Sequence, residues 1–232
     1  MIVISGASNN HYKSLINFIK SFVQYNDVHQ LIVYNLGIDE DKWAHIQSTY
    51  PHFYYRVFEY SKYPAWFNIE VEAGQYAWKP AILYNTYLEH PGKVIVWMDS
   101  GNLILDNLRE LETIIYRAGV YSSISSGNIL RWTHPKTIEY LQCTNVQEQN
   151  RNGACIGFNT RVDFARRLLT EFYECCLIKE CIAPDGSSRA NHRQDQAVFT
   201  ILFYKYLYDI PALYNHLRWI PYIGYSIHND AD

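Results

Sequence analysis

The chain has 232 residues, of which 48% are hydrophobic, enough for one substantial core. No proline-rich, glycine-rich or single-charge stretch marks a linker, so one domain over residues 1–232 is expected. Its 20 basic and 23 acidic residues are interleaved and sum to −3, which excludes the basic footprint that a nucleic-acid backbone or an anionic membrane would require.

Residues 2–7 (IVISGA) are apolar and β-branched and predict a strand; Leu15, Ile16, Phe18, Ile19, Phe22 and Val23 then recur at helical spacing across 13–24. The alternation repeats. A strand is expected over 30–37, a helix opened by acidic residues over 39–47, a strand over 53–60, a helix over 75–90 with Pro80 in its first turn, and a strand over 93–98. Strands alternating with helices predict a mostly parallel sheet covered on both faces. The second half is less regular: a helix over 107–119, a strand over 119–124, a helix opened by Pro135 over 134–142, a strand over 154–159, and one long helix over 162–182. A break rich in proline, glycine, serine and asparagine follows, and then an apolar helix over 195–210.

Five cysteines, an odd number without a C-x-x-C pair, predict buried free thiols rather than a disulfide framework or a structural zinc site. MIVISGAS reads as a first strand and not as a signal peptide, and no apolar run reaches the roughly 18 residues of a membrane span. A cytoplasmic chain is expected, with a trimmed luminal domain of a Golgi or ER protein as the alternative.

In an open α/β sheet, ligands gather beyond the carboxyl ends of the strands. Two polar loops hold such positions: Ser5-Gly6-Ala7-Ser8-Asn9-Asn10 after the first strand and Asp99-Ser100-Gly101-Asn102 after 93–98. If these strands are parallel neighbours, both loops face one crevice. The first loop matches neither G-x-G-x-x-G nor a Walker loop, which argues against a dinucleotide or P-loop site. Asp, Ser, Gly and Asn all favour turns, so residue types alone leave Asp99 as either a turn or a site carboxylate. The stretch 191–196 (NHRQDQ) is dense in hydrogen-bonding groups; Asp195 reads as a helix N-cap or a site residue, whereas His192 and Arg193 have no capping role. The aromatic content is 16% and lies mostly at core periodicity, with Ser61 to Phe67 as a candidate flap over a ligand.

The order IVISGAS, YAWKPAIL, VIVWMDSGN, NGACIGFNT and NHRQDQAV resembles the GT-A fold of nucleotide-sugar-dependent glycosyltransferases. Within that fold it is similar to glycogenin-like and bacterial galactosyltransferase-like retaining enzymes, and more closely to a eukaryotic family of glycosyltransferase-like domains sharing Y-A-W-K-P and N-H-R-Q-D-Q. The resemblance implies an α/β single domain of GT-A (Rossmann-like) type. It implies transfer of a sugar, with retention, from a nucleoside diphosphate donor, expected to be a UDP-sugar, to a hydroxyl of a glycan or protein. Asp99 matches the first aspartate of the Asp-x-Asp signature, which touches donor ribose and metal, while Gly101 stands where the second acid belongs. Asn102 and His228 are the implied further ligands of Mn²⁺ or Mg²⁺, and an imidazole would favour Mn²⁺. Lys79 is implied to face the donor phosphates or Asp99; Ser5, Gly6, Ala7, Asn10, Ser100 and Gly101 the nucleotide; Asn152 and Gly153 the donor sugar; His192 and Arg193 the diphosphate and sugar hydroxyls; Asp195 and Gln196 the reacting carbon. An inverting enzyme would take its base from Asp195 or Asp185. The alternative is a GT-A-like module that has lost catalysis and binds a carbohydrate or a protein.

Overall fold

The computed structural model describes residues 1–25 and 28–227. In chain order it runs β1 (Ile2–Ala7), α1 (Tyr12–Tyr25), β2 (Gln30–Asn35), α2 (Glu40–Thr49), β3 (Tyr54–Val57), α3 (Trp78–Glu89), β4 (Val94–Met98) and β5 (Asn102–Ile104). There follow α4 (Arg109–Ala118), β6 (Val120–Tyr121), β7 (Ile124–Asn128), α5 (Ile129–Trp132), α6 (Pro135–Tyr140), β8 (Gln149–Arg151) and β9 (Cys155–Asn159). The chain then forms α7 (Asp163–Cys176), α8 (Lys179–Ile182), α9 (Gln194–Leu207), α10 (Pro211–Leu217) and β10 (Tyr225–Ile227).

Six strands form the central sheet in the order β3-β2-β1-β4-β9-β6. The four strands from β3 to β4 are mutually parallel, and β9 enters antiparallel to both β4 and β6. Every residue of β1, β4 and β9 is buried, the signature of a sheet covered on both faces, which is why these strands read as continuous apolar runs. Leu15, Phe18, Ile19 and Phe22 turn one face of α1 into this core, and α7 packs against both α3 and α9. The mostly parallel sheet covered on both faces that the alternation predicts is therefore present, with β9 as its antiparallel strand. Two features place the functional cleft. The chain leaves β1 toward β2 and β3 and then returns to the other side of β1 as β4, so strand order reverses between β1 and β4. Because β9 is antiparallel, its start pairs with the end of β4, Cys155 opposite Met98, and carries residues 152–154 to the same rim.

Several expectations are corrected. The helix expected over 162–182 ends at Cys176, turns through Leu177 and Ile178, and resumes as α8. That corner brings Cys175 and Cys181 to a Cα separation of 5.4 Å and joins them in a disulfide, leaving Cys143, Cys155 and Cys176 free. The odd cysteine count pointed away from this bond because a pairing six residues apart depends on the corner and not on the spacing. The 61–67 stretch is no flap: Tyr63 and Phe67 stack on Phe58 and on each other, and Phe67 is fully buried. The helix expected from 75 begins at Trp78, preceded by a left-handed turn in which Glu72, Ala73, Gly74, Gln75 and Tyr76 all have φ between 48° and 59°. Two small antiparallel pairs, β5–β10 and β7–β8, were not anticipated, being short and without periodicity. Among the described residues no helix is long and apolar enough to cross a membrane.

Replacing Cys175 and Cys181 by alanine together should lower stability by about 2 kcal/mol, the loop-closure entropy of so short a ring. Urea titrations with and without reductant check this: a midpoint indifferent to reductant in the native sequence would contradict the bond.

Candidate active site

At the β1/β4 reversal lies a cleft of about 800 Å³, within the size range of small-molecule sites. Its walls are residues 6–11 at the end of β1 and beyond it, Leu36, Gly37 and Asp39 after β2, residues 99–102 after β4, residues 152–154 before β9, and residues 193–196 at the head of α9. Ile69, Glu70, Ala73, Tyr76, Trp78 and Lys79 close one side, with Trp97, Arg189 and Ile227.

Lys79 organises the floor. It sits in the first turn of α3, a helix whose opening residues 78–83 are all buried, so its side chain is only 3% exposed. Its Nζ lies 3.1 Å from Asp99 Oδ1 and 2.9 Å from Asp195 Oδ2, and it donates to the Gly153 carbonyl at 3.0 Å. The rings of Trp78 and Trp97 stand 5.9 and 5.8 Å from the same nitrogen. Burial alone would strip the proton from this amine, but the Asp195 and Asp99 carboxylates overcome it and hold the pKa above its ordinary value. Burial pushes the Asp195 carboxyl up, Lys79 pulls it back, and the charge on Asp99 pushes it up again. Asp99 Oδ1 also accepts the Trp97 indole N–H. Two carboxylates thus share one ammonium, and the floor carries a net negative charge.

Asp195 is the second residue of α9 and not its N-cap, a position held by Arg193 without a side-chain cap. Gly153 explains how its neighbours approach: a Cβ there would stand 3.1 Å from Gln196 Cβ and 3.5 Å from Asp195 Oδ2. Asn152 donates to the Tyr222 hydroxyl at 3.2 Å and accepts from the Ala154 N–H, fixing the same turn. Asn102 is buried, and its amide donates to the Ala154 carbonyl at 2.7 Å.

The structure brings Gly6, Ala7, Asn10, Lys79, Asp99, Ser100, Gly101, Asn102, Asn152, Gly153, Arg193, Asp195 and Gln196 together around the cleft. It does not bring Ser5 or His192. Ser5 is buried within β1, short of the loop. His192 is fully buried and pins two loops: its Nδ1 accepts the His134 N–H at 3.2 Å, leaving Nε2–H to donate to the Ile182 carbonyl at 2.8 Å. Burial lowers its pKa to about 4, so it is neutral. Asp185 pairs with Lys179 at 2.9 Å and does not line the cleft. His228 lies outside the described residues. Tyr76 and Arg189 went unnoticed in the sequence; Tyr76 faces the cleft through the left-handed turn, and Arg189 donates to its hydroxyl. The available signal was their position, inside the YAWKP motif and just before NHRQDQ.

The implied divalent cation was tested against these donors. A hard cation needs several anionic oxygens. Gly101 offers no side-chain oxygen, Asn102 at most one neutral oxygen, and Asp99 Oδ1 already holds an indole N–H and an ammonium that would repel a metal. Among the described residues no group of three or more His, Cys, Asp or Glu side chains could hold a metal ion. Of the implied ligand set, Asp99 offers the oxygen that faces away from Lys79, Asn102 offers a buried Oδ1 without a hydrogen-bond partner, and His228 lies outside the described residues.

Residues 1–84 match the model of a family described as a protein of unknown function, DUF1647. No curated protein matches the sequence. Among solved structures, galactosyltransferase LgtC in complex with donor and acceptor sugar analogs is similar with a TM-score of 0.58, over 98% of this chain and 87% of that one, at 15% identity. Mouse xyloside xylosyltransferase 1 in its apo form reaches a TM-score of 0.59 over 98% and 97% of the two chains at 11% identity. The apo form of glycosyltransferase GlyE of Streptococcus pneumoniae reaches 0.53 over 88% of this chain and 43% of that one, at 11% identity. The chain has the GT-A fold. At these identities the likeness is one of fold.

Lys79→Met should cost about 3–5 kcal/mol at neutral pH, since it strands two carboxylates without their counter-charge; urea unfolding checks this. His192 contributes stability that is present above its unfolded pKa and lost as pH falls toward its folded value near 4. Lowering pH from 7 to 5 should therefore remove about 2 kcal/mol through this residue. A His192→Gln variant should show a correspondingly flatter dependence of stability on pH, and an unchanged slope would refute the assignment.

Proposed function

We propose that this protein transfers a sugar from a nucleoside diphosphate donor, with UDP-sugars the first candidates, to a hydroxyl group of a glycan or protein. The observation that carries the reading is the Lys79 bridge, which brings Asp99 and Asp195 from separate elements to one floor at the strand reversal. It is supported by a fold shared with a galactosyltransferase and a xylosyltransferase. In the reaction the bond from sugar C1 to the phosphate oxygen breaks, a bond from C1 to the acceptor oxygen forms, and the acceptor proton leaves with the diphosphate.

Asp99 is exposed enough, at 39%, to accept hydrogen bonds from ribose hydroxyls through the oxygen facing away from Lys79. Small residues in the loop after β1 let the nucleotide approach the backbone. Asp195 and Gln196, held against Gly153, face the donor sugar and stabilise positive charge developing at C1. Retention is supported by the state of the two carboxylates that an inverting reaction would use as base. Asp185 is engaged by Lys179 away from the cleft, and Asp195 shares the buried ammonium. The disulfide supports the luminal alternative over the cytoplasmic one, because such bonds persist in oxidising compartments. A binding module without catalysis is the second reading, favoured by Gly101 in place of an acid.

A nucleotide sugar at about 100 times its Kd should stabilise the fold by about 2.7 kcal/mol in a thermal-shift panel. Asp195→Asn should lower turnover of the donor that binds by about 100-fold or more while retaining binding. Binding with turnover selects the transferase; no shift with any nucleotide sugar overturns it and leaves the module, which binds a carbohydrate or a protein.

A further inference from the structure

The cleft pairs its anionic floor with a cationic wall. Arg189 and Arg193 both line it, on the segment leading into α9. Arg189 is exposed; its guanidinium lies 5.5 Å from the Tyr76 ring centroid and donates to the Tyr76 hydroxyl. Arg193 is half-buried and lies 4.1 Å over the Trp132 ring, with its backbone N–H on the Trp132 carbonyl at 3.0 Å. Among the described residues neither guanidinium meets a carboxylate. Their positions are set by aromatic rings, which orient an arginine without neutralising it. Burial and the like charge of Arg189 both pull the Arg193 pKa down, the response expected where cations converge without an anion.

A departing nucleoside diphosphate develops negative charge that must be offset. Lys79 is spent on two carboxylates and a carbonyl, and the described residues offer a divalent cation only the second oxygen of Asp99 and the neutral Oδ1 of Asn102, fewer anionic oxygens than a hard cation needs. What remains is the arginine pair, whose planar forks match phosphate oxygens, beside the positive end of the 14-residue α9.

We infer that Arg189 and Arg193 clamp the diphosphate of the donor and offset its charge in place of a divalent cation. The inference rests on the reading of the cleft as a donor site. Each guanidinium hydrogen-bonds phosphate oxygens, Tyr76 holds Arg189 in place, and Lys79 keeps the floor assembled without touching the phosphates.

Isothermal titration of the full chain with UDP and with inorganic pyrophosphate, in EDTA and in Mn²⁺, tests the clamp. UDP should bind in EDTA within about threefold of its affinity in Mn²⁺. Arg189→Ala and Arg193→Ala should each weaken it by about tenfold or more, in line with loss of a charged hydrogen bond. Arg189→Ala alters an exposed side chain, so its unliganded melting temperature should match that of the native protein and keep a loss of binding interpretable. Binding that requires Mn²⁺, or metal-free binding indifferent to both arginines, overturns the clamp and leaves the donor-site reading standing. No binding of UDP or pyrophosphate in either condition overturns the donor-site reading together with it.

Discussion

The ammonium of Lys79 is the point at which four stretches of chain meet: the start of α3, the loop after β4, the turn before β9 and the head of α9. A buried cation is tolerated only when its charge and its protons are satisfied, and three oxygens from the other three stretches do this. The constraint works both ways. Asp195 is buried and would be unstable as a charged group without Lys79, so neither partner can be reorganised alone. The floor of the cleft is therefore fixed before any ligand arrives, the condition under which polar groups are most effective in catalysis.

The sheet supplies the framework on which that bridge is built. Parallel β1 and β4 end at the same rim, and β9, running the opposite way, begins there. Asp99 donates its N–H to the Ala154 carbonyl at 2.8 Å, and the Asn102 amide reaches the same oxygen, so the two loops are tied by backbone as well as by charge. The opposite wall is less relaxed. Five consecutive residues take left-handed backbone angles at 72–76, and Gln194 at the start of α9 has φ 39°. Such conformations cost about 1 kcal/mol for each non-glycine residue and persist where surrounding packing imposes them. Here they aim Tyr76 into the cleft, and the Trp78 indole holds the turn through the Ala73 carbonyl at 3.0 Å.

The outcome is a cleft divided by sign, with shared carboxylates on the floor and unneutralised guanidinium groups on one wall. On the proposed reading, the carboxylates face the hydroxyl-rich sugar and the guanidinium groups face the diphosphate of the donor. The disulfide closes the α7–α8 corner, and the neutral His192 bonds the Ile182 carbonyl at the end of α8. Both restrain the path from α7 to α9 without entering the cleft.

Much was legible in the sequence because it rests on local periodicity. The continuous apolar runs of β1, β4 and β9 announced strands buried on both faces, and the spacing in 13–24 announced α1. The order of motifs announced the fold, and most of the cleft residues fell within those motifs. Tertiary structure alone decided which polar groups face one another. Lys79 and Asp195 are 116 residues apart, yet their charges neutralise each other across 2.9 Å, and no local pattern encodes that distance. His192 and Arg193 are adjacent in sequence, yet one is sealed into the core and the other lines the cleft, because the loop turns between them. The sequence by itself determined the elements and the residue types available at their ends. The packing of α3, α9 and the β9 turn against β4 determined which of those charges are satisfied internally and which are left for a ligand.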